Sequence, residues 1–82
     1  PVTVWVDGLL AAERDARVSA LDHGITVGDG VFESCKVVDG RAFALTRHLS
    51  RLERSATGLG LDPPEESWVR QAVAEVLAAD PV

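Results

Sequence analysis

Residues 31 to 38, Val-Phe-Glu-Ser-Cys-Lys-Val-Val, read as a strand. Alternation along it projects Phe32, Ser34 and Lys36 to one side and Glu33, Cys35 and Val37 to the other. An aromatic wall, a small hydroxyl and a cation in one row suit a pocket for a ring and a carboxylate. A half-exposed strand with a solvated lysine and a core phenylalanine fits the same residues, and pattern alone favours that plainer reading.

A second cluster lies further along. Arg51 has Arg47 four residues before it, His48 three before, Arg54 three after and Ser55 four after, so no acid reaches it within a helix. Glu53 lies well round the helix. Like-charged neighbours at this spacing cost roughly 0.2–0.5 kcal/mol per pair. Such a cluster calls for an anion: a carboxylate elsewhere in the fold, plain solvation, or a bound phosphate or acidic ligand, whose geometry a guanidinium matches.

Between the N-terminal residues and the strand runs Asp22-His23-Gly24-Ile25-Thr26-Val27-Gly28-Asp29-Gly30, a loop jointed by three glycines. No Gly-Lys-Ser/Thr follows, so it is not a Walker loop. The third glycine of a dinucleotide fingerprint is missing, and strand rather than helix comes next. Asp22, His23 and Asp29 match no standard metal-ligand spacing, and no metal is expected.

These groups need elements to hold them. Thr3 to Gly8 is β-rich and ends in Asp-Gly, with Leu9 to Ala12 as the returning strand. Residues 31 to 38, Asp39-Gly40 and Arg41 to Leu45 form the strongest hairpin signature in the chain. Thr46 is a candidate N-cap for a helix to about Thr57, closed by Gly58 and Gly60, with Leu49, Leu52, Ala56 and Leu59 on one face. Asp62, Pro63, Pro64 and Glu65 resemble a second helix start. Trp68, Val69, Ala72, Val73, Val76 and Leu77 then form its apolar stripe. The expected fold is α+β: a small antiparallel sheet with two helices packed on it.

With 82 residues the chain makes one small domain, and a chain of this size buries only about 60–65% of its unfolded surface. Its 46% hydrophobic and 26% charged residues are an ordinary globular balance. No apolar run approaches the ~18 residues that span a bilayer, and the N-terminus lacks a secretory pattern, so a cytoplasmic protein without membrane association is expected. A net charge of −5 disfavours nucleic acid as a partner. Cys35, the only cysteine, is expected to pack as a small apolar residue.

The run from Ala16 to Leu61, with Asp-His-Gly, Gly-Asp-Gly-Val-Phe-Glu and His-Leu-Ser-Arg-Leu at their mutual distances, closely resembles the N-terminal domain of the class IV aminotransferases, the fold-type IV pyridoxal-phosphate enzymes. These include branched-chain aminotransferases, D-amino-acid aminotransferases and 4-amino-4-deoxychorismate lyases. The resemblance implies that Arg51 binds the phosphate of pyridoxal 5'-phosphate. It also implies that Phe32 lines the substrate side of the cofactor and that Ser34 and Lys36 face substrate, the lysine holding a substrate carboxylate. Residues 1 to 82 would then be the N-terminal part of a longer two-domain enzyme, a homodimer acting on a small amino acid or on aminodeoxychorismate.

Departures narrow the expectation. Branched-chain enzymes tend to have tyrosine at the position of Val27 and glycine at that of Ser34, and D-amino-acid enzymes tend to have tyrosine at that of Phe32. The sequence is therefore more similar to the aminodeoxychorismate lyase branch, which releases pyruvate and leaves 4-aminobenzoate, a step of folate biosynthesis. The aminotransferases of the same family, or a non-catalytic binding or assembly domain with this fold, are the alternatives. The lysine that joins such enzymes to their cofactor lies in the larger C-terminal domain. Lys36, the only lysine here, occupies the substrate-facing position instead, so this chain alone is expected to be inactive.

Overall fold

Two Asp-Gly dipeptides turn the first half of the chain into two hairpins. In the computed structural model, which describes residues 2–79, β1 (Thr3–Val6) pairs antiparallel with β2 (Leu9–Ala12), placing Val6 opposite Leu9 and Thr3 opposite Ala12. Likewise β3 (Val37–Val38) pairs with β4 (Arg41–Ala42). At both tips the aspartate and glycine have positive φ, 48° and 91° at Asp7 and Gly8, 50° and 75° at Asp39 and Gly40. That is the type I′ geometry, whose twist matches the flanking strands. The α+β class expected from the sequence holds, with the sheet divided into two two-stranded ladders.

The strand expected over residues 31 to 38 is shorter than its sequence pattern. Only Val37 and Val38 form the ladder, which one further bond from the Phe43 amide to the Lys36 carbonyl at 2.7 Å extends by a residue. Its partner strand runs out of chain. Ala44 turns into the left-handed region (φ 55°) and the next residue opens a helix, so residues 31 to 35 have no ladder partner among the described residues. They keep the alternation nonetheless: Val31, Glu33, Cys35 and Val37 are half-buried, whereas Phe32, Ser34 and Lys36 are exposed.

The same turn moves the helix start. α2 (Leu45–Gly58) follows an Ala44 cap that makes no side-chain bond, and Thr46 lies inside the helix, its hydroxyl accepting from Arg70 Nη2 at 2.8 Å. At the other end Gly60 (φ 75°) donates to the Thr57 carbonyl at 3.0 Å, and Leu61 donates to that of Ala56 at 2.8 Å. This is the Schellman closure that the glycines predict. α3 (Glu66–Ala79) starts four residues after Asp62. Two consecutive prolines explain the delay, because each disfavours helical geometry in the residue before it. The Glu65 carbonyl accepts from the Trp68 and Val69 amides instead. A single-turn helix, α1 (His23–Thr26), occupies the stretch expected as a plain loop, and a 3-10 turn covers Glu13–Asp15.

α3 docks on β1. Trp5 and Trp68 meet edge to face with centroids 4.8 Å apart and planes at 75°, and Trp5 Nε1 donates to Glu75 Oε2 at 3.3 Å. Arg70 joins the helices, donating to Glu66 Oε2 at 2.9 Å as well as to Thr46. The interior is thin. Among the described residues Ala56 is the fully buried hydrophobic, while Phe32, Leu21 and Leu9 are 85%, 83% and 72% exposed. The accessible surface of 6388 Å² exceeds the roughly 4,700 Å² that a compact monomer of this mass exposes.

The two glycines ending α2 should respond oppositely to alanine. A Cβ on Gly58, which is helical, meets nothing within 4 Å. Gly58→Ala should therefore raise stability by about 0.5–1 kcal/mol, and Gly60→Ala, forced into the left-handed region, should lower it by roughly 1–2 kcal/mol. Urea midpoints of the two variants check this.

Candidate functional site

The Asp39-Gly40 reversal and the turn at Ala44 lay the start of α2 beside the extended residues 31 to 36. His48 and Arg51, three apart and so on one helical face, both reach this segment. Glu33 meets them. Its Oε1 lies 2.7 Å from His48 Nδ1, 3.0 Å from Arg51 Nη2 and 3.3 Å from Arg51 Nε. One oxygen thus gathers three N–H donors. His48 Nδ1 and Arg51 Nη2 are 3.5 Å apart, but both point protons at the carboxylate, so their proximity is convergence rather than a bond.

The side chains of Glu33 and His48 are 20% and 19% exposed, against 54% for Arg51. Hydrogen bonding from His48, and then from Arg51, holds the Glu33 carboxyl below the usual carboxylate range, with desolvation working the other way. The arginine is therefore anchored on its inner edge and open on its outer one. Nε–H and one Nη2–H face Glu33, while Nη1 makes no hydrogen bond among the described residues. Arg47 and Arg54 are exposed and in no ion pair among those residues.

Of the anions left open for the Arg51 cluster, the structure supplies a carboxylate from elsewhere in the fold, 18 positions upstream, where no helical spacing could reveal it. Moreover, Arg51 does not join Phe32, Ser34 and Lys36. It binds Glu33, which alternation sets on the opposite side of the segment, and among the described residues no hydrogen bond or ion pair links it to the exposed row. Phe32, at 85% exposure, is no core residue either. Sequence reasoning missed Glu33 and His48 as members of the site. The signal was present in two halves: an acid on the inward side of an alternating segment needs donors, and a cation-rich helix face needs an acid.

The glycine-jointed loop closes on itself. Asp22 caps α1, its Oδ2 accepting from the Gly24 amide at 2.8 Å, and His23 Nδ1 lies 3.5 Å from Asp29 Oδ2. A Cβ on Gly24 would come within 2.9 Å of that capping oxygen, so a larger residue there would displace the cap. Cys35 is half-buried, its Sγ 3.0 Å from the Phe43 carbonyl, and splices the end of the hairpin as a small packing residue.

Comparison with known families covers the same stretch of chain. The family model described as amino-transferase class IV matches residues 30–82, the stretch that carries Glu33, His48 and Arg51. The chain belongs to the class IV aminotransferase family. It is 44% identical over 61 residues to a putative branched-chain-amino-acid aminotransferase of Methanocaldococcus jannaschii, a match covering 74% of this chain and 21% of that protein. To the D-alanine aminotransferase of Staphylococcus epidermidis it is 41% identical over 59 residues, and to that of Staphylococcus aureus 37%, each match covering 72% of this chain and 21% of the relative. The chain thus spans about a fifth of the length of the curated relatives it matches. Among the described residues no helix is long and apolar enough to cross a membrane.

The Glu33 cluster sets an acid dependence. A carboxyl lowered in the folded state contributes its stabilisation in full above the ordinary glutamate value of about 4.3. That contribution is lost as pH falls through the lowered value. Melting temperatures of wild type and Glu33→Gln should accordingly differ at neutral pH and converge in acid, measured by circular dichroism from pH 7 downward. A gap that stays constant would place the stabilisation elsewhere.

Proposed function

We propose that this chain is the N-terminal domain of a two-domain pyridoxal-5'-phosphate-dependent aminotransferase acting on branched-chain or D-amino acids. The observation that carries the reading is an arginine pinned along one edge and open along the other. Arg51 keeps N–H donors for the cofactor phosphate, and Arg47 and Arg54, four residues before it and three after it on α2, are in no ion pair among the described residues. The residues present therefore fit a phosphate ester. When bound, the cofactor supplies the electron sink through which an amino group passes between an amino acid and a keto acid.

The chain's own residues hold and shape. Arg51 takes the phosphate. Phe32, Ser34 and Lys36 face the substrate from the other side of the extended segment, the phenyl ring as a wall and the ammonium as partner to a carboxylate. On this reading the backbone of residues 32 to 36 is the partition between cofactor anchor and substrate. The lysine that joins the cofactor belongs to the part of the enzyme beyond this chain, so the chain alone is inactive. The large exposed apolar side chains and the excess of accessible surface support a domain completed by the rest of the enzyme.

Transamination is preferred to pyruvate elimination because the relatives matched at 37–44% identity are named aminotransferases. The lyase expectation rested on Val27, Phe32 and Ser34 departing from tyrosine, tyrosine and glycine. Such single positions weigh less than identity spread over some sixty residues.

The complete enzyme, purified with cofactor and offered D-alanine, branched-chain L-amino acids or aminodeoxychorismate, decides between the readings. Amino transfer to a keto-acid acceptor from one of the amino acids is the expected result. Release of pyruvate and 4-aminobenzoate without an acceptor would restore the lyase, and a native protein comprising this chain alone would favour the binding domain.

A further inference from the structure

We propose that Glu33 is a positioning residue, holding the Arg51 guanidinium by its Nε–Nη2 edge so that the Nη1–Nη2 edge is presented to a phosphate ester, with His48 as the second anchor of the carboxylate. The proposal rests on the reading of Arg51 as the phosphate ligand and adds what makes that ligand effective.

A guanidinium has two edges able to give parallel N–H bonds to an oxyanion: the side-on edge, Nε with Nη2, and the end-on edge, Nη1 with Nη2. Glu33 Oε1 occupies the first, at 3.3 and 3.0 Å. The second is left for a ligand, on a side chain 54% exposed. Arginine carries several free torsions, and an unheld one must surrender them when it binds an anion. Held beforehand, it surrenders fewer, and the gain appears as affinity.

Against this stands charge. A carboxylate beside a phosphate site repels the phosphate, so Glu33 could weaken binding rather than strengthen it. Two observations favour orientation over repulsion. The acid's oxygen is shared among three donors, which draws its charge toward them. The second is the charge left over on the helix: Arg47 and Arg54, four residues before Arg51 and three after it on α2, are exposed and in no ion pair among the described residues. His48 adds the feature that a simple ion pair lacks. By donating to the same oxygen at 2.7 Å from within a half-buried position, it keeps Glu33 from following Arg51 when a ligand draws on the guanidinium.

The test compares pyridoxal 5'-phosphate with pyridoxal, identical but for the phosphate, by titration calorimetry on the complete enzyme carrying this chain. Glu33→Gln, which keeps the shape and removes the charge, should weaken the phosphate ester about tenfold, the scale of a charge-assisted bond. It should leave pyridoxal unchanged and cause no further loss when added to Arg51→Ala. His48→Leu should show the same selectivity with a loss of about threefold, the lower end of a single hydrogen bond, and serves if Glu33→Gln does not fold. Equal or tighter binding of the ester by Glu33→Gln, equal losses for both ligands, or a loss that persists in the Arg51→Ala background would each overturn the proposal. Should Arg51→Ala alone leave the ester's affinity untouched, the assignment of Arg51 itself fails, whatever Glu33 does.

Discussion

The arrangement of the second half of this domain depends on one carboxylate oxygen. Among the described residues no strand pairs with residues 31 to 35, and extended backbone without a ladder has little to fix it. Glu33 supplies the missing tether by accepting from two side chains of α2. The half-buried contact with His48 matters most, because an exposed pair such as that with Arg51 contributes little by itself. Loss of Glu33 would leave the half-buried His48 without its partner, whereas Arg51, 54% exposed, would turn to water. Segment and helix are thus fixed to each other through the side chains that would also present the phosphate ligand.

Much of the scaffold was legible because it rests on local chemistry. Asp7-Gly8 and Asp39-Gly40 specify their turns through the backbone angles that those residues tolerate, and Gly60 specifies the end of α2 in the same way. Where distant residues decide, the reading slipped. Thr46 looked like a cap, yet the turn at Ala44 had already started the helix. Asp62 looked like another, but the two prolines after it held the chain out of helical geometry.

For the site, period-two alternation separated Phe32, Ser34 and Lys36 from Glu33 correctly, since that rule needs only an extended backbone. The partner of Arg51 was not legible, because it follows from the path of the chain between residues 33 and 51. A helical wheel shows which acids are absent from a face and says nothing of acids delivered from another segment. The resemblance to the class IV aminotransferases was carried by motifs whose spacing encodes that path without displaying it.

The Glu33 tether and the Lys36–Phe43 bond lie three residues apart on one extended run, and this fixes the parity of the segment. Insertion or deletion of a single residue between them would rotate everything upstream by half a turn, exchanging the carboxylate for a phenyl ring or a hydroxyl against α2. Changes by two would preserve the facing. Members of the lineage that vary in length here should therefore do so in even steps, and the arginine on the helix is what enforces the count.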